Sequence, residues 1–221
     1  MSFKGEVEAK CPKGCEPFRS DVWSFINGDQ SPALREALLA RECNLLLCPE
    51  CNTAFIPEEA YVYFEPQAEL LGFVFPESYR DRGAYWLSKM HDDFLAMRQA
   101  LGGEMTLDVE PQIFFGVEEL AVLLEAEDYR AEEREVMECL AKELGLSVYR
   151  ASPSFSRRNG VPRSLPYVPC EGAQASRRSV IEGLKKLVAA NERLTLYSDY
   201  LKELKSSDSG GLPPASTVKP S

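Results

Sequence analysis

The sequence predicts an α+β protein: a small, β-rich, zinc-ribbon-like domain over residues 1–77, a mostly helical domain over 78–205, and a disordered tail over 206–221. Three observations predict it. Short runs in the first 77 residues alternate apolar with polar side chains, the period of a half-buried strand. Beyond them, apolar residues recur every three or four positions, the period of a helix with one buried face. Four early cysteines also fall in two proline-bearing pairs, Cys11-Pro12-Lys13-Gly14-Cys15 and Cys48-Pro49-Glu50-Cys51.

In residues 2–10, Phe3, Val7 and Ala9 alternate loosely with polar neighbours, which suits a strand that delivers Cys11 to a turn. Residues 18–26, with Trp23, lead away from it, so the two form a hairpin tipped by the first cysteine pair. Ser31 and Pro32 head a short helix over 33–40: serine caps the open amides of a first turn, and proline loses no hydrogen bond there. Leu45, Leu46 and Leu47 read as a buried strand running into Cys48, and residues 53–56 leave the second pair. Strands over 61–64 and 70–75 are joined by a turn at Glu65, Pro66 and Gln67.

Each short cysteine turn aims two thiolates at one point, and the longer segment between the pairs brings the turns together. That is the pattern a tetrahedral zinc ion needs, with Cys11, Cys15, Cys48 and Cys51 as its ligands. Four cysteines fill the coordination sphere, so the expected role is structural, with no position for an activated water. A thioredoxin-type pair would open a helix, whereas Cys48 and Cys51 stand between two strand-like runs. A disulfide, a redox pair or another metal are the alternatives.

The order of these features resembles the bacterial CpXC domain family: a Cys-Pro knuckle, a strand with Val22-Trp23, a short helix with Pro32-Ala33-Leu34, Cys48-Pro49-Glu50-Cys51, the strand over 61–64 and Phe73-Val74-Phe75-Pro76. The resemblance covers about residues 8–80 and continues toward Leu144 through Ile113, Phe114, Phe115 and Gly116. It implies zinc binding through two Cys-Pro-x-Cys motifs and no established biochemical activity. The first motif here carries one extra residue, and Gly14 can absorb the longer turn. Glu16 and Asn52 stand where zinc knuckles often have glycine.

From residue 78 to 100 a long helix is expected, with Leu87, Met90, Phe94, Met97 and Leu101 as its apolar stripe and Gly102-Gly103 as its end. A short strand over 112–115, helices over 117–126 and 131–144, and strands over 146–150 and 164–168 follow, with Asn159-Gly160 as a turn between the last two. A closing helix over 175–205 repeats Val180, Leu187, Leu194 and Leu201 every seven residues. Such a seam permits a homodimer, and packing on the chain's own body is the expected use, since Gly183 and Ala190 leave alternate positions small.

Net charge is −6 over residues 1–80, −9 over 81–150 and +5 over 151–221, within a total of −10. An acidic surface repels a phosphate backbone, which disfavours nucleic acid as a partner except along the basic segment 150–178, with Arg157, Arg158, Arg163, Arg177 and Arg178. No apolar run is long enough to cross a bilayer, and a cytoplasmic location is expected. There the remaining Cys43, Cys139 and Cys170 read as small buried apolar side chains. His91, the only histidine, sits mid-helix on a charged face, and the acidic runs near Glu125, Glu127, Glu132 and Glu133 read as solvated helix faces. The expected function is therefore a zinc-binding module with a protein or peptide partner. The competing classes are an enzyme with its site between the two domains and a nucleic-acid binder using residues 150–178.

Overall fold

The computed structural model of the protein describes residues 1–100, 109–169, 174–206 and 211–216. Strands β1 (Phe3–Ala9) and β2 (Phe18–Asn27) pair antiparallel from Phe3↔Phe25 to Ala9↔Phe18, with a bulge after Phe3. Helix α1 (Pro32–Leu39) and two short strands, β3 (Leu46–Leu47) and β4 (Ala54–Phe55), intervene before the chain returns as β5 (Tyr61–Glu65), parallel to β2. Strand β6 (Leu70–Phe75) turns back beside β5. A turn of 3-10 helix at Glu77–Arg82 leads into α2 (Gly83–Ala100), and β7 (Gln112–Phe115) then joins β6 in parallel. The sheet order is β1-β2-β5-β6-β7. Parallel neighbours cannot be joined by a tight turn, so each parallel pair forces a long excursion.

Alternation along the strands gives the sheet two faces. Ile26, Tyr61, Tyr63, Leu70, Val74 and Phe114 point to one face and are packed with Leu38 of α1. Leu120 and Leu124 close the same core from α3 (Val117–Glu143). Phe75 points the other way, its ring 5.2 Å from that of Trp86 and 6.3 Å from that of Tyr79. Arg41 ties the end of α1 to the acidic start of α3, donating to Glu118 at 2.7 Å and Glu125 at 2.8 Å.

Two compact units divide the chain, residues Met1–Ala126 and Glu127–Ser221. In the second, β8 (Ser147–Arg150) pairs antiparallel with β9 (Ser164–Tyr167), and α4 (Pro153–Asn159) connects them. Helices α5 (Arg177–Ala190) and α6 (Thr195–Ser206) complete its core with Val180, Leu184, Leu187, Tyr197, Leu201 and Leu204. Beneath it lies a buried ion cluster. The Glu127 carboxylate, 4 % exposed, accepts from Arg157 at 3.1 Å and Arg163 at 2.5 Å, with Arg130 3.7 Å away.

Several expectations are corrected. A boundary at 77 would cut β7 and the Leu120–Leu124 face of α3 away from the sheet they complete; the units instead divide at Ala126. The helices expected over 117–126 and 131–144 are one, α3, because nothing between them is a glycine or a proline. The single helix expected over 175–205 is two. Asn191 turns extended (φ −149°, ψ 97°), and its side chain accepts from the Arg193 amide at 3.1 Å, a local bond that competes with helix. Asn159-Gly160 is no open turn: it ends α4, with Gly160 at φ +64°. Ser31 makes no cap and meets the Ser2 hydroxyl instead, at 2.7 Å. Leu45 and Leu47 are exposed, because β3 and β4 are only two residues long. Leu87 is also exposed, while Met90 and Phe94 are buried; Leu101, Gly102 and Gly103 lie outside the described residues. The tail is ordered where it is described. Tyr149 donates to the Pro213 carbonyl at 2.6 Å, and Ser152 and Ser216 make backbone bonds to Pro214 and Arg150.

Helix α5 lies on β9 at Gly183, where a Cβ would stand 2.3 Å from the Pro166 carbonyl oxygen and 2.7 Å from the Tyr167 Cα. Backbone cannot yield there as a flexible side chain would. Gly183→Ala is expected to lower the stability of the second unit by about 2 kcal/mol or more, read from urea unfolding followed by far-UV dichroism; an unchanged midpoint would show that α5 does not rest on β9 at this point.

Candidate metal centre

The antiparallel register of β1 and β2 ends at Ala9↔Phe18, so Cys11 and Cys15 fall in the turn at the hairpin's end. Within it the Gly14 amide donates to the Cys11 carbonyl at 3.0 Å, and Gly14 takes φ +79°, a conformation open to glycine at little cost. The extra residue of the first pair is absorbed there, as the sequence predicts. The Lys13 amide points at Cys11 Sγ, 3.4 Å away.

The second pair is positioned by a side chain. Strand β5 pairs with β2 only from Phe25 onward, and at Trp23 the Asn44 side chain bonds the β2 backbone, accepting from the Trp23 amide at 2.7 Å and donating to its carbonyl at 3.0 Å. That fixes where the chain enters β3. Pairing of Leu46 with Phe55 and Leu47 with Ala54 then leaves Cys48–Cys51 as a tight turn. The Cys48 amide donates to the Thr53 carbonyl and the Asn52 amide to the Cys48 carbonyl, both at 2.9 Å. Asn52 stands at φ 55°, a left-handed position that asparagine tolerates better than most residues, so no glycine is needed after Cys51. The Phe55 ring meets Phe18 edge-on at 6.2 Å and locks the base of one turn to the base of the other.

The result brings Cys11, Cys15, Cys48 and Cys51 together, with their four sulfur atoms all within 4.8 Å of one another and Cys11 and Cys51 only 3.6 Å apart. A zinc–thiolate bond of about 2.3 Å implies a tetrahedral edge of about 3.8 Å, so the four sulfurs are spaced to hold a metal ion with little adjustment. Cys11 and Cys48 are buried and Cys15 and Cys51 half-buried. The thiols are not electrostatically alike. Cys51 Sγ is hydrogen-bonded to the Thr53 hydroxyl at 3.2 Å, and its bonds with the Thr53 side chain and backbone hold Cys51 down at about 6, while Cys15 is pushed up, chiefly by its bond to Cys51.

Residues 9–133 match the model of the CpXC protein family, more than half of the 221 residues. The chain belongs to the CpXC family. Searches among curated proteins and among solved structures found no match. The CpXC match takes in both cysteine pairs, strands β2 to β7 and the first part of α3, but of β1 only Ala9; nearly all of the second unit lies beyond it.

Other residues singled out in the sequence do not join the sulfur cluster. Cys43 is buried, as expected, and Cys139 is exposed, which corrects the expectation that it is a core residue; Cys170 lies outside the described residues. His91 is exposed on α2. Glu127 is the opposite of a solvated helix face, and Glu133 accepts from the Tyr197 hydroxyl at 2.8 Å. Sequence reasoning missed Thr53 and Asn44, whose roles depend on side-chain bonds that no periodicity reports. No helix among the described residues is long and apolar enough to cross a membrane.

Because Cys51 is held below its ordinary value of 9.0, its contribution to the stability of metal-free protein is full above about pH 9 and is lost as pH falls through about 6. In metal-free protein, limiting iodoacetamide at pH 7 is expected to alkylate Cys51 ahead of the other three, with a reactivity midpoint near pH 6 that Thr53→Val moves upward. Peptide mass mapping checks it, and equal labelling of all four sulfurs would contradict the assignment.

Proposed function

We propose that this CpXC protein is a zinc-binding protein-interaction module in which Zn2+, held by Cys11, Cys15, Cys48 and Cys51, has a structural role. The observation that carries the reading is the convergence of four sulfurs at tetrahedral spacing in a part of the fold with almost no apolar core of its own. Strands β3 and β4 are two residues each, and Leu45, Leu47 and Ile56 around them are exposed. Burial cannot hold such a segment, whereas structural zinc supplies about 10–16 kcal/mol in zinc-finger peptides. Thiolates of this kind persist in a reducing compartment, which favours the cytoplasm.

A protein or peptide partner is the better fit to the charge pattern. Arg157 and Arg163, central to the basic segment, face Glu127 in the interior, which leaves less positive charge for a phosphate backbone. The seven-residue seam that would serve a homodimer is drawn into the second unit's own core through Val180, Leu187 and Leu201.

Protein purified without added metal is expected to carry one zinc per chain. Both tryptophans, Trp23 and Trp86, lie in the first unit, so tryptophan emission reports its unfolding. Chelation or Cys48→Ser is expected to unfold that unit at temperatures where untreated protein is folded. A metal-free protein whose melt is indifferent to chelator would remove the basis for the zinc assignment.

A further inference from the structure

Every second residue of the β3–β4 hairpin points the same way, and its two sides meet different surroundings. Leu46 is registered opposite Phe55 and Leu47 opposite Ala54, and the Cys48 amide bonds the Thr53 carbonyl one step further on. Leu46, Cys48, Thr53 and Phe55 therefore share one side. It is the inner one, because Cys48 is buried in the sulfur cluster and the Phe55 ring meets Phe18. The same register carries Leu47 and Ala54 to the outer side and sets Leu45 opposite Ile56 there. All four outer residues are exposed, Leu47 to 65 %, Leu45 to 46 % and Ile56 to 42 %.

A hairpin with one solvated side ordinarily alternates apolar inside with polar outside. This one is apolar on both. Single exposed aliphatic residues are common on any protein, whereas a contiguous set on one face marks a surface that another molecule covers. Nor can the chain bury the set by itself. Rolling the hairpin over, or slipping its register by one residue, would bring Leu47 inside only by taking Cys48 out of the sulfur cluster.

Charge decides what kind of molecule fits. Residues 42–60 include four glutamates and no lysine or arginine. The Leu45 amide donates to the Glu42 carbonyl at 3.1 Å, Glu50 stands in the turn between the strands, and Glu58 follows two residues after Ile56. All three are exposed, and no ion pair engages them among the described residues. Lys10 and Lys13 flank Cys11 in the turn that meets the hairpin's inner side. Carboxylates at each end of an apolar strip repel an anionic membrane surface and a second copy of the same face, and they attract cations.

We propose that the outer face of the β3–β4 hairpin docks a protein segment presenting aliphatic side chains flanked by lysine or arginine. The aliphatic groups cover Leu45, Leu47 and Ile56, and the cations face Glu42, Glu50 and Glu58. This rests on the interaction-module reading and names both the face and the chemistry of its partner.

Panning a phage library of random twelve-residue peptides against the intact protein as purified tests it, with the selected peptides synthesised and titrated by amide chemical shifts. Enriched sequences are expected to combine leucine, isoleucine or valine with lysine or arginine, and to move the resonances of residues 44–48 and 53–58. Leu47→Ser with Ile56→Ser, both at exposed positions, is expected to leave the melting temperature and metal content unchanged and to weaken these peptides at least about tenfold. Glu42→Lys with Glu58→Lys should weaken them about fivefold and flatten their salt dependence; were the serine protein to lose its metal, this second variant decides alone. Enrichment of acidic or purely polar sequences, shifts confined elsewhere, or binding indifferent to both double variants overturns the face. So does self-association, or sedimentation with phosphatidylcholine vesicles, that the serine protein loses, since the face would then belong to a second copy or to a membrane. If a partner cross-linked in cells is held equally by both double variants, the docking face fails alone; if the unsubstituted protein enriches no peptide and cross-links to no partner, the module reading fails with it.

Discussion

Parallel pairing of β2 with β5 obliges the chain to leave the sheet after Asn27 and come back at Tyr61 running the same way. A hairpin would have closed that gap with a few residues; the parallel arrangement needs a crossover. Almost everything distinctive about the first unit lies on it. The excursion carries α1, which covers one face of the sheet, then Asn44, which grips β2 where β5 has not yet begun, and then the second cysteine pair. Its return leg sets Ala54 opposite Leu47 and so completes the open apolar face of the β3–β4 hairpin. The sulfur cluster and that face are thus products of the same topological demand, on the two sides of one loop.

Charge is used inside both units, with different consequences. In the first, Arg41 at the end of α1 reaches Glu118 and Glu125 on an exposed flank, where solvent screens each contact and the clamp acts mainly through geometry. Arg35, Glu65 and Tyr63 form a more sheltered group, in which burial holds the Glu65 carboxyl above its usual range while Tyr63 and Arg35 oppose the shift. In the second, Glu127 is almost wholly enclosed among arginines. A buried pair adds little net stability compared with an apolar replacement, yet losing one member leaves an uncompensated charge at a cost of about 3–5 kcal/mol. Glu127 thereby fixes α4 and β9 against α3 more by forbidding alternatives than by strength of attraction.

What could be read from the residues divides along the range of the interactions involved. The cysteine pairs were legible because ligand chemistry and short spacing are local, and strands such as Tyr61–Glu65 and Leu70–Phe75 because alternation is local too. Gly14 announced its turn for the same reason. The membership of β7 in the sheet was not legible, since its partner β6 lies across α2 and an undescribed stretch. Nor was the burial of Glu127, whose partners stand 30 and 36 residues further on. An acidic run looks the same whether it meets water or a cluster of arginines. Asn191 shows a subtler case: the apolar repeat runs on past it, and one side-chain bond to the backbone was enough to break the helix.

The pinning of residues 211–216 to β8 and its neighbours bears on how the molecule is made. Ala215 bridges Ala151, and the Pro213 and Pro214 carbonyls receive Tyr149 and Ser152, so the β8 region is left short of these partners until that segment has been synthesised. The first unit is complete once residue 126 has been added. At a translation rate of about 5–20 residues per second, some 5 to 20 seconds separate the two events. During that interval the sheet can form and its four cysteines can meet while the second unit is still an unfinished chain.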